Sequence, residues 1–331
     1  MVIIIKLVFN PRKEKRVKED VRLVVKNFRK NKIELLHIIP NGEKFVLNAT
    51  KFEQHWNYKY LYQKRGYDNR TGKEKWVKFT DYRTLYPERK TEEGLKYLLY
   101  TNSESKYLAV IFQAMGAPPN YNYVKSLSKC NVNRLYIKDD YGTETKTKCT
   151  YYLGQNNDFN IEKATQKLIE TVTRDLNIDK CNTIFIGSSK GGFASLYHGY
   201  KFGAGYILPA GPQVLLGQYL AKPNGKSEME KNIFRSIFGE IDDSKREFAN
   251  NLIKNVLMNA KKPYPQTNIH IGYWEPHFKN HVVPFMEIAN DLNIDNISLH
   301  VKDYKLHSGI VDYYREFLVD NIDKIKNGTY R

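Results

Sequence analysis

Between residue 107 and the C-terminus, short apolar runs alternate with longer segments whose apolar side chains recur at helical spacing. Nearly continuous apolar runs of this length are typical of strands buried on both faces of a sheet. They predict strands at residues 107–112, 134–137, 183–186, 205–208, 269–273 and 297–301. The predicted helices are residues 161–176, 192–202, 245–259, 283–292 and 309–325. This alternation predicts an α/β fold with a doubly wound, mostly parallel sheet.

The first hundred residues follow a different pattern. Short apolar segments predict strands at residues 2–9, 33–40 and 44–47. Within residues 12–32, apolar side chains recur at helical spacing from Val17 to Phe28, which predicts an amphipathic helix on a basic segment. Such a helix either packs on a neighbouring sheet or lies against a membrane surface as a peripheral contact. We therefore predict a small basic α+β module over residues 1–100 and an α/β domain over residues 101–331.

The composition is that of a folded globular protein. Hydrophobic residues make up 41% and aromatic residues 13% of the 331 residues, which is enough for a sizeable core. No apolar run reaches the roughly 18 residues that cross a bilayer, and the apolar start lacks the basic flank and cleavage site of a signal peptide. We therefore expect a cytoplasmic protein. Cys130, Cys149 and Cys181 lack metal-binding spacing, so neither a disulfide framework nor a metal is expected.

The charge is strongly basic and unevenly distributed. The net charge is +17, and residues 1–106 contribute +12 of it with 25 basic and 13 acidic side chains. Such a surplus favours an anionic partner, either an acidic polysaccharide or, as the weaker alternative, nucleic acid. A lysine-rich surface without any such partner also explains it. Arg65, Arg70, Lys73 and Lys75 lie in a segment that mixes cations with aromatic rings and are the candidate substrate-binding residues.

The segment Gly187-Ser188-Ser189-Lys190-Gly191 connects a predicted buried strand to a predicted helix. Gly-x-Ser-x-Gly in this context is typical of a nucleophile elbow, a tight turn that presents a serine at a helix N-terminus. Glycine is needed on both sides because other side chains would collide with the strand or the helix. Ser189 is therefore the candidate nucleophile. The alternative, a phosphate-binding loop, lacks the spacing of a nucleotide site, and no cofactor is expected.

An acid and then a histidine follow the serine in elbow enzymes, each in a loop after a strand. Glu275 and His307 follow the last two predicted strands in this order and are the candidate acid and general base. Asp303 is the alternative acid, and His277 or His281 is the alternative base.

Two N–H donors are needed to stabilise the oxyanion of a tetrahedral intermediate. The residue after the nucleophile supplies one, which here is the backbone of Lys190. The loop after residues 107–112 supplies the other, from Ala114 or Met115, unless Gln113 donates through its side chain. The alternative interpretation of this segment is a plain connecting loop.

Several motifs of the chain occur together in one known family. They are VIFQAMG at residues 110–116, NRLYIKDDYG at 133–142, YYLG at 151–154, GSSKGGFA at 187–194, LPAGPQ at 208–213 and LHS at 306–308. Together they resemble the α/β-hydrolase-like capsular polysaccharide biosynthesis proteins of the XcbB/CpsF type, over about residues 100–325. The resemblance implies a bacterial cytoplasmic protein that acts on surface glycans beside other capsule-biosynthesis proteins. It also implies that Ser189 and His307 belong to the triad, whereas Glu275 stands where aspartate is more usual.

Acyl transfer is the function that these residues predict. Ser189 would attack an acyl group, and water as the acceptor would make the protein an esterase or deacetylase. A sugar hydroxyl as the acceptor would make it an O-acyltransferase acting on an anionic polysaccharide or a glycan precursor. The alternative is a non-catalytic glycan-binding or assembly subunit that keeps the fold.

Overall fold

The computed structural model describes residues 6–12, 17–48, 58–85, 88–116, 119–142, 148–222 and 227–330. The chain divides into two compact units, Met1–Arg89 and Lys90–Arg331. The sequence prediction placed the boundary after residue 100, one strand further along the chain.

Two antiparallel sheets account for most of the described part of the first unit. In the smaller sheet, β1 (Lys6–Phe9) pairs with β4 (Phe45–Asn48). The larger sheet has the order β3-β2-β5-β6, with β7 paired to β5. Its strands are β2 (Val21–Asn27), β3 (Lys32–Ile39), β5 (Tyr58–Tyr67), β6 (Glu74–Lys78) and β7 (Arg83–Thr84).

The helix predicted within residues 12–32 is wrong, because Val21–Asn27 form strand β2. Val21, Leu23 and Val25 are buried in the core of this unit, whereas Arg22 and Lys26 at the alternate positions are half-buried. The same apolar positions also fit a helical spacing, which is why the pattern was ambiguous. β-Branched side chains favour the pleated strand, and pairing with two neighbouring strands decides the outcome.

An eight-stranded sheet forms the centre of the second unit, with the order β15-β14-β13-β12-β10-β11-β9-β8. Its strands are β8 (Arg89–Lys90), β9 (Lys96–Tyr100), β10 (Leu108–Phe112), β11 (Asn133–Lys138), β12 (Thr183–Ser188), β13 (Tyr206–Ala210), β14 (Gln266–Gly272) and β15 (Ile297–Lys302). Strands β10 to β15 run parallel, and β9 pairs antiparallel with β11. β10 and β12 are buried along their whole length, so both faces of the sheet are covered there.

Helices follow the strands as the sequence predicts. They are α1 (Asn160–Asp175), α2 (Lys190–Phe202), α3 (Leu216–Ala221), α4 (Glu228–Phe238), α5 (Asp243–Asn250), α6 (Leu252–Met258), α7 (Val283–Asp291) and α8 (Ile310–Lys326). α2 packs on β10, β12 and β13, and α8 packs on β13 and β14. The predicted helix at residues 245–259 is divided into α5 and α6, which meet at Asn251. The predicted doubly wound α/β fold is confirmed. None of the described helices is long and apolar enough to cross a membrane.

Candidate active site

Ser189 lies in the tight turn between β12 and α2. Its φ of 56° and ψ of −120° are unusual for a residue with a side chain, and its amide donates to the Ala210 carbonyl at 2.8 Å. A Cβ added to Gly187 would lie 2.1 Å from the Gly191 carbonyl oxygen. One added to Gly191 would lie 2.5 Å from the carbonyl oxygen of Phe112. Only glycine fits at these two positions, and the turn therefore has the backbone form of a nucleophile elbow.

His307 and Glu275 form a hydrogen-bonded pair after the two last strands of the sheet. His307 Nδ1 donates to Glu275 Oε1, since a carboxylate only accepts. Glu275 is buried, whereas the His307 side chain is about one third exposed. A Cβ added to Gly211 would lie 3.0 Å from both Glu275 Oε1 and His307 Cε1. Because Gly211 directly follows Ala210, which holds the Ser189 amide, the pair lies beside the elbow.

His277 is a second partner of the same carboxylate. Its Nδ1 lies 3.3 Å from Glu275 Oε1 and 3.3 Å from the Gly211 carbonyl oxygen, and its ring centroid lies 4.3 Å from that of His307. Burial raises the pKa of Glu275, but hydrogen bonds from His277 and His307 outweigh it and lower the pKa to about 2. Glu275 is therefore ionised at neutral pH, as a group that stabilises a histidinium must be.

The alternative acid and base have different surroundings. Asp303 is exposed, and within the described ranges neither a hydrogen bond nor an ion pair joins it to His307. His281 is buried, and its Nδ1 accepts a hydrogen bond from the Leu215 amide at 3.2 Å. Of the candidates from the sequence, the structure brings His307 and Glu275 together, with His277 beside them.

The predicted oxyanion donors differ in availability. Lys190 is the first residue of α2, where the backbone N–H has no partner within the helix. The Ala114 amide donates to Asn122 Oδ1 at 2.8 Å and is occupied. Gln113 is buried, and its side-chain amide donates to the Asp139 carbonyl at 3.1 Å. Met115 is then the donor of this loop that best fits the role.

The side chain of Lys190 makes a buried ion pair that the sequence analysis missed. Its Nζ lies 3.1 Å from Asp139 Oδ2, and both side chains are fully buried. Asp139 also accepts hydrogen bonds from the amide and hydroxyl of Thr150, at 2.9 and 2.7 Å. The Lys190 ammonium lies 4.9 Å from the ring centroid of Tyr152, whose hydroxyl accepts the Gln113 amide at 2.8 Å. This network ties the elbow to the loop that carries the second oxyanion donor.

Gln213 is a second contact that the sequence analysis missed. Its Nε2 donates to Ser189 Oγ at 2.8 Å, and its Oε1 accepts the Tyr151 hydroxyl at 2.9 Å. Gln213 is 1% exposed, and its bond to Tyr151 is buried, whereas Ser189 at the other bond is half-buried. Gln213 is the last residue of the LPAGPQ motif, but that motif alone does not indicate a contact with Ser189. Gln213 therefore holds the Ser189 hydroxyl in a defined position.

A metal ion also has a conceivable set of ligands in this cluster. Glu275, His277 and His307 offer three ligand atoms within 4.8 Å of one another, a donor set that suits zinc. Glu275 and His307 are also the two residues of the hydrogen-bonded pair, so a bound cation would compete with that pair.

The candidate substrate-binding residues of the first unit share the β5–β6 hairpin. Arg65 and Lys75 each pair with an acidic residue of the hairpin, at 3.2 and 2.7 Å. Arg70 and Lys73 lie in the turn between the strands, and all four side chains are exposed. The Arg65 guanidinium also lies 4.3 Å from the ring centroid of Trp76. The hairpin thus presents four cations that solvent, and hence an anionic ligand, can reach.

An open parallel sheet with this elbow and acid–base pair defines the α/β-hydrolase fold. No family model matches the sequence, and no curated protein matches it. Among solved structures, the chain is similar to the capsule O-acetyltransferase of Neisseria meningitidis serogroup A, with a TM-score of 0.60, 20% identity, and coverage of 72% of this chain and 94% of that one. A mutant of that enzyme in complex with CoA gives a TM-score of 0.57 and 18% identity, and the match covers 71% of this chain and 94% of the mutant.

A third similar structure extends over both units. The glycosylation-associated Gap123 complex from Streptococcus agalactiae gives a TM-score of 0.58 at 12% identity and covers 96% of this chain. This chain spans 61% of that protein's length. At these identities the likeness shows the fold, and the resemblance to capsule-biosynthesis proteins is confirmed at that level.

Proposed function

We propose that the second unit is a serine-dependent acyl-transfer enzyme, and that its acyl acceptor is a bacterial surface or capsular glycan. The observation that carries the proposal is the His307–Glu275 pair beside the strained elbow of Ser189. Strained backbone persists only where the surrounding structure enforces it, and such positions cluster at active sites. The similarity to a capsule O-acetyltransferase supports the acceptor class, and the complex of that enzyme with CoA supports an acyl-CoA donor.

The reaction has two halves. In the first, Ser189 Oγ attacks the acyl carbonyl, and its proton passes to His307 Nε2. The backbone N–H groups of Lys190 and Met115 stabilise the oxyanion, and the thiol leaves with the proton from His307. In the second half, a sugar hydroxyl gives its proton to His307 and attacks the acyl-serine; the bond from the acyl carbon to Ser189 Oγ then breaks, and His307 returns the proton to Oγ as the acylated glycan leaves. Glu275 stabilises His307 while it is protonated.

The cationic hairpin of the first unit supports the proposal that the glycan is anionic. Its four cations are exposed, and the Arg65 guanidinium is held over the ring of Trp76. We propose that this hairpin contributes to holding the polymer through long-range attraction, which salt screens.

Incubation with acetyl-CoA and a panel of acidic oligosaccharides tests the proposal. The expected result is an oligosaccharide heavier by one acetyl group in mass spectrometry, with free CoA formed in equal amount and no transfer by Ser189→Ala. Acetate release without oligosaccharide acetylation would show that water is the acceptor, and that the protein is a hydrolase. Oligosaccharide binding without turnover, unchanged in Ser189→Ala, would favour the non-catalytic subunit instead.

A further inference from the structure

Two exposed aromatic residues directly precede the candidate triad acid. Tyr273 and Trp274 are 54% and 59% exposed, although each is larger than most side chains left in water. Their ring centroids lie 4.8 Å apart at an interplanar angle of 87°. The Tyr273 amide donates to the Lys302 carbonyl at 2.8 Å, and the Trp274 amide to the Tyr304 carbonyl at 3.3 Å. The rings are therefore exposed on a backbone that is held in place.

Exposed apolar side chains also lie close to the candidate base in the sequence. Leu306 and Val311 are 72% and 78% exposed, and Leu306 directly precedes His307. Consecutive Cα atoms are about 3.8 Å apart, so Trp274 and Leu306 each lie one step from a member of the acid–base pair. Large exposed side chains in contact with one another, as the two rings are here, mark a binding surface rather than an ordinary exterior.

We propose that Tyr273 and Trp274 form a platform that binds a sugar ring of the acyl acceptor, an inference that rests on the proposed function. One face of a pyranose ring consists of C–H groups, which are apolar and slightly positive. The face of an aromatic ring is apolar and slightly negative, so the two surfaces attract one another when stacked. Two rings at right angles offer a face and an edge to the same ligand.

The charged groups next to the platform fit the hydroxyl edge of a sugar. Lys302 at the end of β15 and Asp303 and Lys305 in the loop after it are exposed, and the Tyr273 and Trp274 amides bind carbonyls of this segment. They offer hydrogen-bond donors and acceptors to hydroxyl groups, and the two lysines favour an acidic sugar. A membrane surface fits less well, because insertion of the rings would carry the exposed Asp303 carboxylate towards the acyl chains.

The platform would position the acyl acceptor for the reaction. A sugar stacked on Trp274 lies beside the residue that bonds His307, so one of its hydroxyl groups can reach the general base. The platform would then select carbohydrate over water as the acceptor. It would act mainly on acceptor affinity, because the rings take no part in the proton transfer.

Oligosaccharide affinity measured by calorimetry on platform variants tests the proposal. The probes are hyaluronan and polysialic acid oligosaccharides, with chitotetraose as a neutral probe. Trp274→Ala and Tyr273→Ala are expected to weaken binding of at least one probe tenfold or more, and Trp274→Phe, which keeps a ring, is expected to stay within about threefold. Met258→Ala, at a side chain 60% exposed on α6, is the matched control and is expected to bind as the wild type does.

Unchanged affinity for every probe in Trp274→Ala with an unaltered unfolding temperature would overturn the proposal. The proposal would also be overturned if Trp274→Ala no longer sedimented with phosphatidylglycerol vesicles, as the wild type did, but kept its oligosaccharide affinity. The surface would then be a membrane contact. Reactivity of Ser189 with a fluorophosphonate is measured in parallel on the wild type. Lack of that reaction would reject the proposed acyl transfer while the platform is still tested by calorimetry.

Discussion

The Lys190 ammonium and the Asp139 carboxylate form an ion pair at 3.1 Å with neither side chain exposed to solvent. Removal of one partner of such a pair leaves an unpaired charge in the interior, which costs about 3–5 kcal/mol. We expect Lys190→Met to lower the free energy of unfolding by an amount in that range, measured by urea denaturation. Addition of Asp139→Asn to the same chain should recover part of the loss, because it removes the unpaired charge.

A matched control for this prediction is Lys167→Met, which removes a lysine that pairs with Glu93 at 2.6 Å on the surface. Solvent screens exposed pairs of this kind, so we expect no measurable change. An equally small effect of Lys190→Met would contradict the role of the buried pair in holding the elbow.

The second prediction ranks the two candidate acids. Glu275→Gln should lose on the order of 10⁴ in turnover, because an amide leaves the histidine in the wrong tautomer and does not stabilise its charged form. Asp303→Asn should have a mild effect, since Asp303 is exposed and, in the described part of the chain, makes neither a hydrogen bond nor an ion pair with His307. Steady-state kinetics on an acyl donor measure both. The opposite ranking would assign the acid role to Asp303, and two mild effects would leave a Ser–His dyad.

The third prediction concerns the pH dependence of stability. The pKa of Glu275 falls from its ordinary value of 4.5 to about 2 on folding. A folded-state pKa below the unfolded one means that this carboxylate stabilises the protein at high pH, and that the contribution is lost as pH falls from about 4.5 to about 2. The wild type should therefore exceed Glu275→Gln in free energy of unfolding above about pH 5, and the difference should narrow in acid. A difference that stays constant between pH 6 and pH 3 would contradict the lowered pKa.

The fourth prediction tests the hairpin of the first unit. Neutralisation of Arg65, Arg70, Lys73 and Lys75 together to glutamine should weaken binding of an acidic oligosaccharide and reduce its salt dependence. The control neutralises four exposed lysines of the second unit in the same way, so that the total charge changes equally: Lys163, Lys167, Lys254 and Lys261. Equal effects of the two sets would mean that total charge, not the hairpin, attracts the ligand. Tighter salt-sensitive binding to DNA than to glycan would favour a nucleic-acid partner.

The elbow and the positions of Glu275 and His307 follow from local sequence. A buried strand that runs directly into Gly187 and Gly191 leaves few backbone paths other than this turn. The carboxyl ends of parallel strands meet at one edge of a sheet, so residues that follow β14 and β15 come together with the serine after β12.

The buried partners of the elbow do not follow from the sequence. Lys190 and Asp139 are 51 positions apart, and Gln213 and Ser189 are 24 apart. No periodicity encodes such a contact, because it depends on how neighbouring loops pack. The strand β2 was missed for another reason, since its apolar positions satisfy both the helical and the strand spacing, and only pairing with β3 and β5 distinguishes them.

Covalent capture of Ser189 is the most direct test of the account. The folded protein is incubated with a fluorophosphonate, weighed intact by mass spectrometry and digested to locate the adduct. The account predicts one adduct on Ser189, absent in Ser189→Ala and formed far more slowly in His307→Ala, because the hydroxyl then lacks its base. A folded wild type that forms no adduct, or an adduct that persists in Ser189→Ala, would contradict it.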